Sequence, residues 1–212
     1  MILRLLFPPK CVLCGRLLQR QELDLCRDCR EKAPTVEACR DRHRFVTRWT
    51  ALWYYEGHVR ESLLRYKFSG CRSYAKSYGR LLAMRISRDL GDCFDLITWV
   101  PVSRQRKAKR GYDQVELLAK AVSRELNVPA VRLLRKIRHN RAQSAINGAS
   151  ARRANVLGIY RAVEPFPARG KRVLLLDDII TTGATVQECA KTLALSGVEA
   201  VYAAVVATGK NN

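Results

Sequence analysis

Val173-Leu-Leu-Leu-Asp-Asp-Ile-Ile-Thr-Thr-Gly-Ala-Thr185 combines an apolar run, two carboxylates and a hydroxyl-rich turn within thirteen residues. The apolar run, residues 173–176, predicts a short strand that is buried on both faces, as in parallel sheets. Behind the turn, apolar residues recur at helical spacing between Val186 and Ala194. Because ligands of open α/β sheets bind at the carboxyl ends of strands, we expect a ligand site at this strand–turn–helix junction.

The turn has the chemistry that binds a phosphate group. Backbone N–H groups at a helix N-terminus, hydroxyls and a glycine can all receive an anion, whereas a carboxylate repels it. We therefore expect Asp177 and Asp178 to face a sugar diol or a bound cation, since ionised carboxylates only accept hydrogen bonds. The alternative is a buried strand and a polar turn whose acids are helix N-terminal charges. The residues that would hold the phosphate are Thr181, Thr182, Gly183, Ala184 and Thr185.

The order of these residues excludes one nucleotide-binding class and matches another. The G-x-x-x-x-G-K-[ST] pattern of Walker-type loops is absent from the sequence. The stretch 173–185 resembles the phosphoribosyl-pyrophosphate-binding signature of type I phosphoribosyltransferases. A phosphate group and a sugar diol on one small ligand indicate a phosphorylated ribose, and the resemblance agrees with that prediction.

Positive charge is the second large feature of the chain. The 212 residues carry a formal net charge of +20, and 48% of them are hydrophobic, as in a globular protein. Between Pro101 and Arg172 there are 18 Lys and Arg against 4 Asp and Glu, a balance of 18 − 4 = +14. An excess of this size favours a polyanionic partner, either a phosphate-rich small ligand or nucleic acid. We find no run of about 18 apolar residues and no secretory signal, so we expect a cytoplasmic protein with no membrane insertion.

Two C-x-x-C pairs near the N-terminus predict a structural zinc site. Cys11 and Cys14 are separated by eleven residues from Cys26 and Cys29. Four thiolates complete a closed tetrahedral site, which holds a segment too small to build a core of its own. Disulfide bonds are the alternative, disfavoured in a cytosolic chain. A second metal site at Cys39 and His43 is a weaker alternative.

The chain is predicted to contain a zinc module with its linker, residues 1–44, and an α/β domain, residues 45–212. Strands that alternate with helices predict a parallel sheet with helices on both sides. Basic residues and few apolar ones make 103–114 a predicted loop and 135–153 a predicted mobile loop. The predicted strands are 50–55, 95–102, 130–134, 173–176 and 199–207, and the predicted helices are 59–68, 78–90, 115–126 and 186–194.

Several motifs in this order are similar to those of the ComF (ComFC/GntX-like) family. These are phosphoribosyltransferase-like proteins associated with DNA uptake in natural competence. The chain departs from the family pattern at Tyr112-Asp113, where relatives have Phe-Asn, and at Asn140, where they have Thr; Arg152 and Asn155 are displaced by one residue. The motifs are the double C-x-x-C front, Leu64-Arg-Tyr-Lys-Phe-Ser-Gly70, Pro101…Arg106…Arg110-Gly-Tyr-Asp-Gln114…Leu117-Leu-Ala119, Arg138-His-Asn140-Arg-Ala-Gln143 and the signature.

The resemblance implies a type I phosphoribosyltransferase-like fold and roles for particular residues. Asp177 and Asp178 would contact the ribose hydroxyls, and residues 181–185 would surround the 5′-phosphate. The loop after Val102 would lie by the pyrophosphate, and residues 135–143 would form a mobile active-site loop. Mg²⁺ and basic side chains would stabilise the charge that develops on the leaving pyrophosphate. The candidate side chains are Arg106, Arg110, Arg135 and Lys136.

The sequence leaves more than one function open. The first is an enzyme that transfers a phosphoribosyl group to an unknown acceptor, in nucleotide metabolism or salvage. The second is a non-catalytic protein that binds single-stranded DNA through its basic surface, with Tyr112 available for base stacking. The resemblance alone implies a role in DNA uptake, with competence-machinery proteins such as a DNA helicase as partners.

Overall fold

The computed structural model describes residues 8–37, 39, 43–137 and 157–210, and it contains a four-stranded parallel sheet. The spatial order of its strands is β1-β6-β5-β2, so the signature strand β5 lies inside the sheet. A separate antiparallel ribbon joins β3 and β4. The strands are β1 (Arg48–Tyr54), β2 (Leu96–Trp99), β3 (Leu134–Lys136), β4 (Tyr160–Ala162), β5 (Arg172–Ile180) and β6 (Ala200–Thr208). The helices are α1 (Arg27–Lys32), α2 (Gly57–Phe68), α3 (Tyr74–Asp89), α4 (Arg104–Arg110), α5 (Gln114–Leu126) and α6 (Ala184–Leu195).

Helices cover both faces of the sheet, which confirms the predicted α/β class. Side chains of β5 alternate between two apolar clusters, because successive residues of a strand point to opposite faces. Leu174 and Leu176 pack into the cluster that includes α2, α3 and α5. Val173 and Leu175 pack into the cluster that includes α6 and the β3–β4 ribbon. Burial on both faces explains why this strand is a continuous apolar run.

The structure corrects several predicted boundaries, and two corrections matter for the site. The signature strand extends to Ile180, so the two acids lie within it and not behind it. The predicted loop 103–114 contains the helix α4, in which every residue is exposed or half-buried. A helix without an apolar face leaves no periodic signal. Its ends are set instead by Ser103, whose hydroxyl accepts from the Arg106 N–H at 3.4 Å, and by Gly111 in the left-handed conformation.

The segment after α5 also differs from its prediction. Ala130 forms one parallel bridge to Ile97, and β3 begins only at Leu134. The antiparallel strand β4 was not predicted, because three residues are too few to show a period. Most of the predicted loop 135–153, including Asn140, Gln143 and Arg152, lies outside the described residues. The described part of the chain has no helix that is both long and apolar enough to cross a membrane.

The cysteine-rich segment packs directly on the helices of the sheet domain. The Ser62 hydroxyl donates to the Val12 carbonyl, and the Arg65 guanidinium donates to the Leu13 carbonyl. Arg80 Nε donates to Asp24 Oδ2 at 2.8 Å, in a pair that is largely buried. Cys11, Val12 and Leu13 belong to the same apolar cluster as α2 and α3. The N-terminal segment therefore shares a core with the sheet, while the division of domains at residue 44 stays a prediction.

Residues 34–36, at the start of the predicted linker, run along the free edge of β1. The Val36 N–H donates to the Leu52 carbonyl at 3.2 Å, and the Tyr54 N–H donates to the Pro34 carbonyl at 2.7 Å. These bonds occupy β1 groups that the parallel neighbour β6 does not use. The pairing covers an edge that would otherwise expose unpaired backbone groups.

Candidate functional site

A cavity of about 540 Å³ lies at the carboxyl ends of β2 and β5. All the strands of the main sheet are parallel, so their carboxyl ends meet at this one edge. The cavity brings together the predicted phosphate turn, the two acids and three of the four candidate cations. Its lining includes Lys67, Phe68, Arg106, Lys109, Arg110, Tyr112, Gln114, Lys136, Tyr160, Asp177, Asp178, Thr181, Thr182, Gly183, Ala184 and Thr185.

The two adjacent carboxylates point to opposite faces of the sheet. Asp177 continues the row of Val173 and Leu175, and Asp178 continues the row of Leu174 and Leu176. Both side chains line the cavity, and both residues are buried, with 8% and 5% of their surfaces exposed. Each acid therefore has its own set of neighbours, and the two environments differ.

Asp178 has polar partners on two helices, and one of them is a cation. Lys67 Nζ of α2 lies 2.9 Å from Asp178 Oδ1, and Gln114 Nε2 of α5 donates to Asp178 Oδ2 at 2.9 Å. Sequence reasoning assigned neither residue a role, although both lie in the quoted family motifs. Lys67 is separated from Asp178 by more than a hundred positions, and no local pattern pairs residues so far apart.

Asp177 lies in a more apolar environment than its neighbour. Burial, and then the charge of Asp178, raise its pKa well above the usual range of an aspartate. One oxygen, Oδ1, accepts from the Asp178 N–H at 2.8 Å. Of the two acids, Asp177 is therefore the one that holds its proton more tightly than an exposed aspartate does.

The turn after β5 has the geometry of an anion site. Gly183 has a φ of 69° and precedes α6, whose first turn carries Ala184, Thr185, Val186 and Gln187. The N–H groups at the start of the helix point out of the helix, and its dipole favours negative charge there. The five predicted phosphate residues, 181–185, all line the cavity.

His43 packs against the back of this turn. A Cβ atom added to Gly183 would lie 2.4 Å from His43 Cε1. The His43 ring also contacts Gln187 Nε2 through Nδ1 at 3.2 Å and lies 5.1 Å from the Trp49 ring, centroid to centroid. The glycine is thus required twice, by its backbone conformation and by the closeness of the ring. His43 belongs to the predicted linker between the zinc module and the sheet, so this part of the linker supports the turn.

Basic side chains face the acids across the cavity. Arg106 and Lys136 are partly buried, and burial followed by a neighbouring cation lowers the pKa of each. Arg110 is the cation beside Arg106. Arg106 is in turn the cation beside Lys136, whose pKa falls to about 8. Lys136 Nζ also lies 5.5 Å from the centroid of the Tyr160 ring. Cations that destabilise one another in this way favour a bound anion between them.

Arg135 does not join this group. It is exposed, and its neighbour Lys136 on β3 points to the opposite face and lines the cavity. The candidate set is therefore reduced to Arg106, Arg110 and Lys136 at the cavity. Lys109, which sequence reasoning passed over, lines it as well.

Tyr112 and Asp113 have structural positions that differ from the predicted ones. Tyr112 is 6% exposed, and its hydroxyl donates to the Tyr66 carbonyl, so its ring is not available as an exposed stacking surface. Asp113 caps α5 by accepting from the N–H groups of Val115 and Glu116, each at 3.0 Å. Burial raises the pKa of Asp113. The unusual acid is thus a buried helix cap and not a charge on the basic surface.

The four predicted metal ligands form a compact cluster. The sulfur atoms of Cys11, Cys14, Cys26 and Cys29 all lie within 4.8 Å of one another, and Cys14 Sγ is 3.7 Å from Cys26 Sγ. A tetrahedral zinc ion with Zn–S bonds of about 2.3 Å separates its ligands by roughly 3.8 Å. Although burial opposes ionisation, backbone N–H groups lower the pKa of Cys11 to about 7. Among the described residues this is the one such cluster, and it does not include Cys39 or His43.

Comparisons with known proteins agree with both parts of the chain. The Phosphoribosyl transferase domain family matches residues 116–212, and the Double zinc ribbon domain family matches residues 2–42. The first match covers the strand–turn–helix of the cavity, so the sheet domain has a type I phosphoribosyltransferase-like fold. The second match and the sulfur geometry together support a structural zinc site.

Three similar proteins come from bacteria. Competence protein F of Haemophilus influenzae is 32% identical over 157 residues, which cover 68% of this chain and 67% of that protein. Competence protein ComFC of Bacillus subtilis is 27% identical over 188 residues, covering 88% and 72%. DNA utilization protein YhgH of Escherichia coli is 31% identical over 140 residues, covering 64% and 60%.

The contact between Gly183 and His43 predicts a specific loss of stability. Gly183→Ala places a methyl group against the ring and forces an L residue into the left-handed region, so we expect a loss of about 2–4 kcal/mol. Gly170→Ala is the matched control, because Gly170 has a φ of 66° with nothing within 4 Å of the added Cβ. Urea unfolding measures both, and in a His43→Ala background the loss caused by Gly183→Ala should fall toward that caused by Gly170→Ala. Equal losses for the two single variants would contradict this account.

Proposed function

The chain belongs to the ComF family, and from that premise we propose that it binds phosphoribosyl pyrophosphate, or a related phosphosugar, in the cavity beside β5. The observation that supports this is the convergence of a glycine turn at a helix N-terminus with two buried acids on one strand. A phosphate and a diol on one small ligand match those two halves.

The proposed orientation of the ligand follows from the charges around the cavity. The 5′-phosphate lies on the turn 181–185, and the ribose hydroxyls face Asp177 and Asp178. The pyrophosphate lies toward Arg106, Arg110 and Lys136, whose mutual repulsion it relieves. Thr181, Thr182 and Thr185 offer hydroxyls beside the backbone N–H groups.

Magnesium is proposed to accompany the pyrophosphate. The residues present fit such an ion, because Mg²⁺ is held in proteins by one or two carboxylates together with the phosphates of a ligand. Asp177 and Asp178 are the carboxylates that line the cavity beside the proposed ribose. Bound there, the ion would neutralise charge on the pyrophosphate.

Transfer of the phosphoribosyl group is the reaction that this arrangement would serve. As the bond from C1 to pyrophosphate breaks, negative charge grows on the leaving group, and Arg106 and Lys136 would stabilise it. The fixed turn and the buried acids would hold the sugar while an acceptor approaches C1. Enzyme assays test whether the transfer occurs and which acceptor it uses.

The acid pair gives the direct test of binding. We expect titration calorimetry to detect phosphoribosyl pyrophosphate with Mg²⁺ on the wild type. Asp177→Asn combined with Asp178→Asn should weaken that binding at least about tenfold, because charge-assisted hydrogen bonds to the sugar are lost. Asp95→Asn is the control, since Asp95 pairs with Arg172 at 2.9 Å at the opposite end of β5. A wild type that does not bind, or a double variant that binds equally well, refutes the proposal; release of pyrophosphate then tests turnover.

Lys136 predicts how binding depends on pH. Its pKa of about 8 is lowered, so the charged form that attracts an anion is complete below that pH and lost above it. The affinity of the wild type for phosphoribosyl pyrophosphate should therefore fall by about tenfold between pH 7 and pH 9. Lys136→Arg should flatten the profile, because a guanidinium stays charged throughout. A flat wild-type profile over this range would place Lys136 outside the binding site.

A role with DNA is the second candidate function, and one surface favours it. Phe68 is 67% exposed at the edge of the cavity, and the guanidinium of Arg110 lies 4.9 Å from the centroid of its ring. The exposed helix α4 contributes five cations beside it. An exposed aromatic ring among cations is the arrangement that binds single-stranded nucleic acid. Relatives that are named competence and DNA utilization proteins support a role in DNA uptake. Competence-machinery proteins such as a DNA helicase stay predicted partners.

Phe68 therefore replaces Tyr112 as the proposed stacking residue. Phe68→Ala should weaken the binding of a short single-stranded oligonucleotide by about tenfold, the effect of losing one stacked base. Leu195→Ala is the control, because Leu195 is 76% exposed at the far end of α6. Fluorescence anisotropy at several salt concentrations provides the measurement. Affinity that does not fall with added salt, or that is unchanged in Phe68→Ala, contradicts this surface.

A further inference from the structure

Asp178 is held by one fixed partner and one movable partner. Gln114 is 3% exposed and lies at the first turn of α5, where Asp113 caps the helix, so its amide is fixed on Asp178 Oδ2. Lys67 is the other partner, on Oδ1, and its side chain is 18% exposed on a flexible stem. Both residues line the cavity. A ligand that approaches Asp178 from the cavity therefore meets the ammonium group of Lys67.

A second observation indicates that the cavity can accept a hydrogen-bond donor beside Asp178. Gln114 Oε1 is buried and has no hydrogen-bond partner among the described residues. Its orientation is fixed, because exchanging the two amide atoms would turn an oxygen toward the carboxylate. A buried acceptor that lacks a partner is costly, and a sugar hydroxyl would satisfy it.

We propose that Lys67 is a built-in counter-ion of the acid pair, which lets the free protein accept a phosphosugar without a divalent cation. This inference rests on the proposed function of the same cavity. The ammonium cancels the charge of Asp178, so an incoming anionic sugar meets one negative charge fewer at the acid pair. The ribose 5-phosphate part of the ligand then binds without a metal, and the proposed Mg²⁺ is needed only when the pyrophosphate is present.

Two opposite consequences follow from removing Lys67. Without the ammonium, Asp177 and Asp178 form an acidic pair with hard oxygen ligands, which attracts a divalent cation by itself. The same loss leaves an uncompensated negative charge beside the sugar, which weakens a phosphosugar unless a metal replaces the ammonium. A merely structural role of Lys67 would not produce both changes together.

The test uses ribose 5-phosphate, which has no pyrophosphate, and Mn²⁺ alone. Calorimetry on the wild type should give the same affinity for ribose 5-phosphate, within twofold, in EDTA and in Mg²⁺. Lys67→Met should lose tenfold or more in EDTA and recover in Mg²⁺, and electron paramagnetic resonance should show Mn²⁺ bound at least tenfold more tightly than by the wild type. Lys67→Arg should behave as the wild type does. Lys120→Met is the matched control, since it removes a lysine that is 52% exposed on α5 and pairs with Glu116 at 2.7 Å.

The outcomes separate this inference from the function on which it rests. A wild type that fails to bind ribose 5-phosphate in both buffers overturns the proposed function, whereas the Mn²⁺ titration still decides whether Lys67 neutralises the acids. Equal Mn²⁺ affinity for the wild type and Lys67→Met overturns the inference, as does a wild type that needs Mg²⁺ for ribose 5-phosphate. Thermal unfolding checks that each variant is folded, and Lys67→Gln replaces Lys67→Met if the latter is not.

Discussion

The cost of burying two adjacent carboxylates is the constraint on which this structure depends. Taking Asp177 and Asp178 out of water is unfavourable unless each finds compensation, and the strand period sends them to opposite faces. On one face Lys67 neutralises Asp178 and Gln114 donates a hydrogen bond to it. On the other face Asp177 keeps a raised pKa because burial dominates. Fixing these charges requires α2 and α5 to reach the same strand end, and that requirement defines the cavity.

The N-terminal segment contacts the elements that carry the site residues. The backbone carbonyls of Val12 and Leu13 accept hydrogen bonds from side chains of α2, the helix that carries Lys67. His43 reaches the back of the glycine turn from the other side of the sheet. Residues beside the first cysteine pair thus contact α2, and His43 contacts the phosphate turn. The zinc module is part of the support of the cavity and not an independent appendage.

Local patterns in the sequence predicted what local physics decides. The run 173–176, the glycine and the apolar spacing behind it were sufficient for strand, turn and helix, and the two C-x-x-C pairs were sufficient for the cysteine cluster. The helix α4 was missed because all its residues face solvent and its ends depend on Ser103 and Gly111. The partners of Asp178 were missed because the pairing of α2 with β5 is a tertiary event. Tyr112 was misjudged for the same reason, since only packing shows that its ring is buried.

We propose that the turn 181–185 and the two acids Asp177 and Asp178 together bind one phosphorylated sugar. A crystal structure of the chain with phosphoribosyl pyrophosphate and Mg²⁺ tests this most directly. We expect the 5′-phosphate within hydrogen-bond distance of the N–H groups of residues 183–185, with the ribose hydroxyls at Asp177 and Asp178. Phosphate bound instead along α4, with the turn 181–185 making no contact to the ligand, would contradict it.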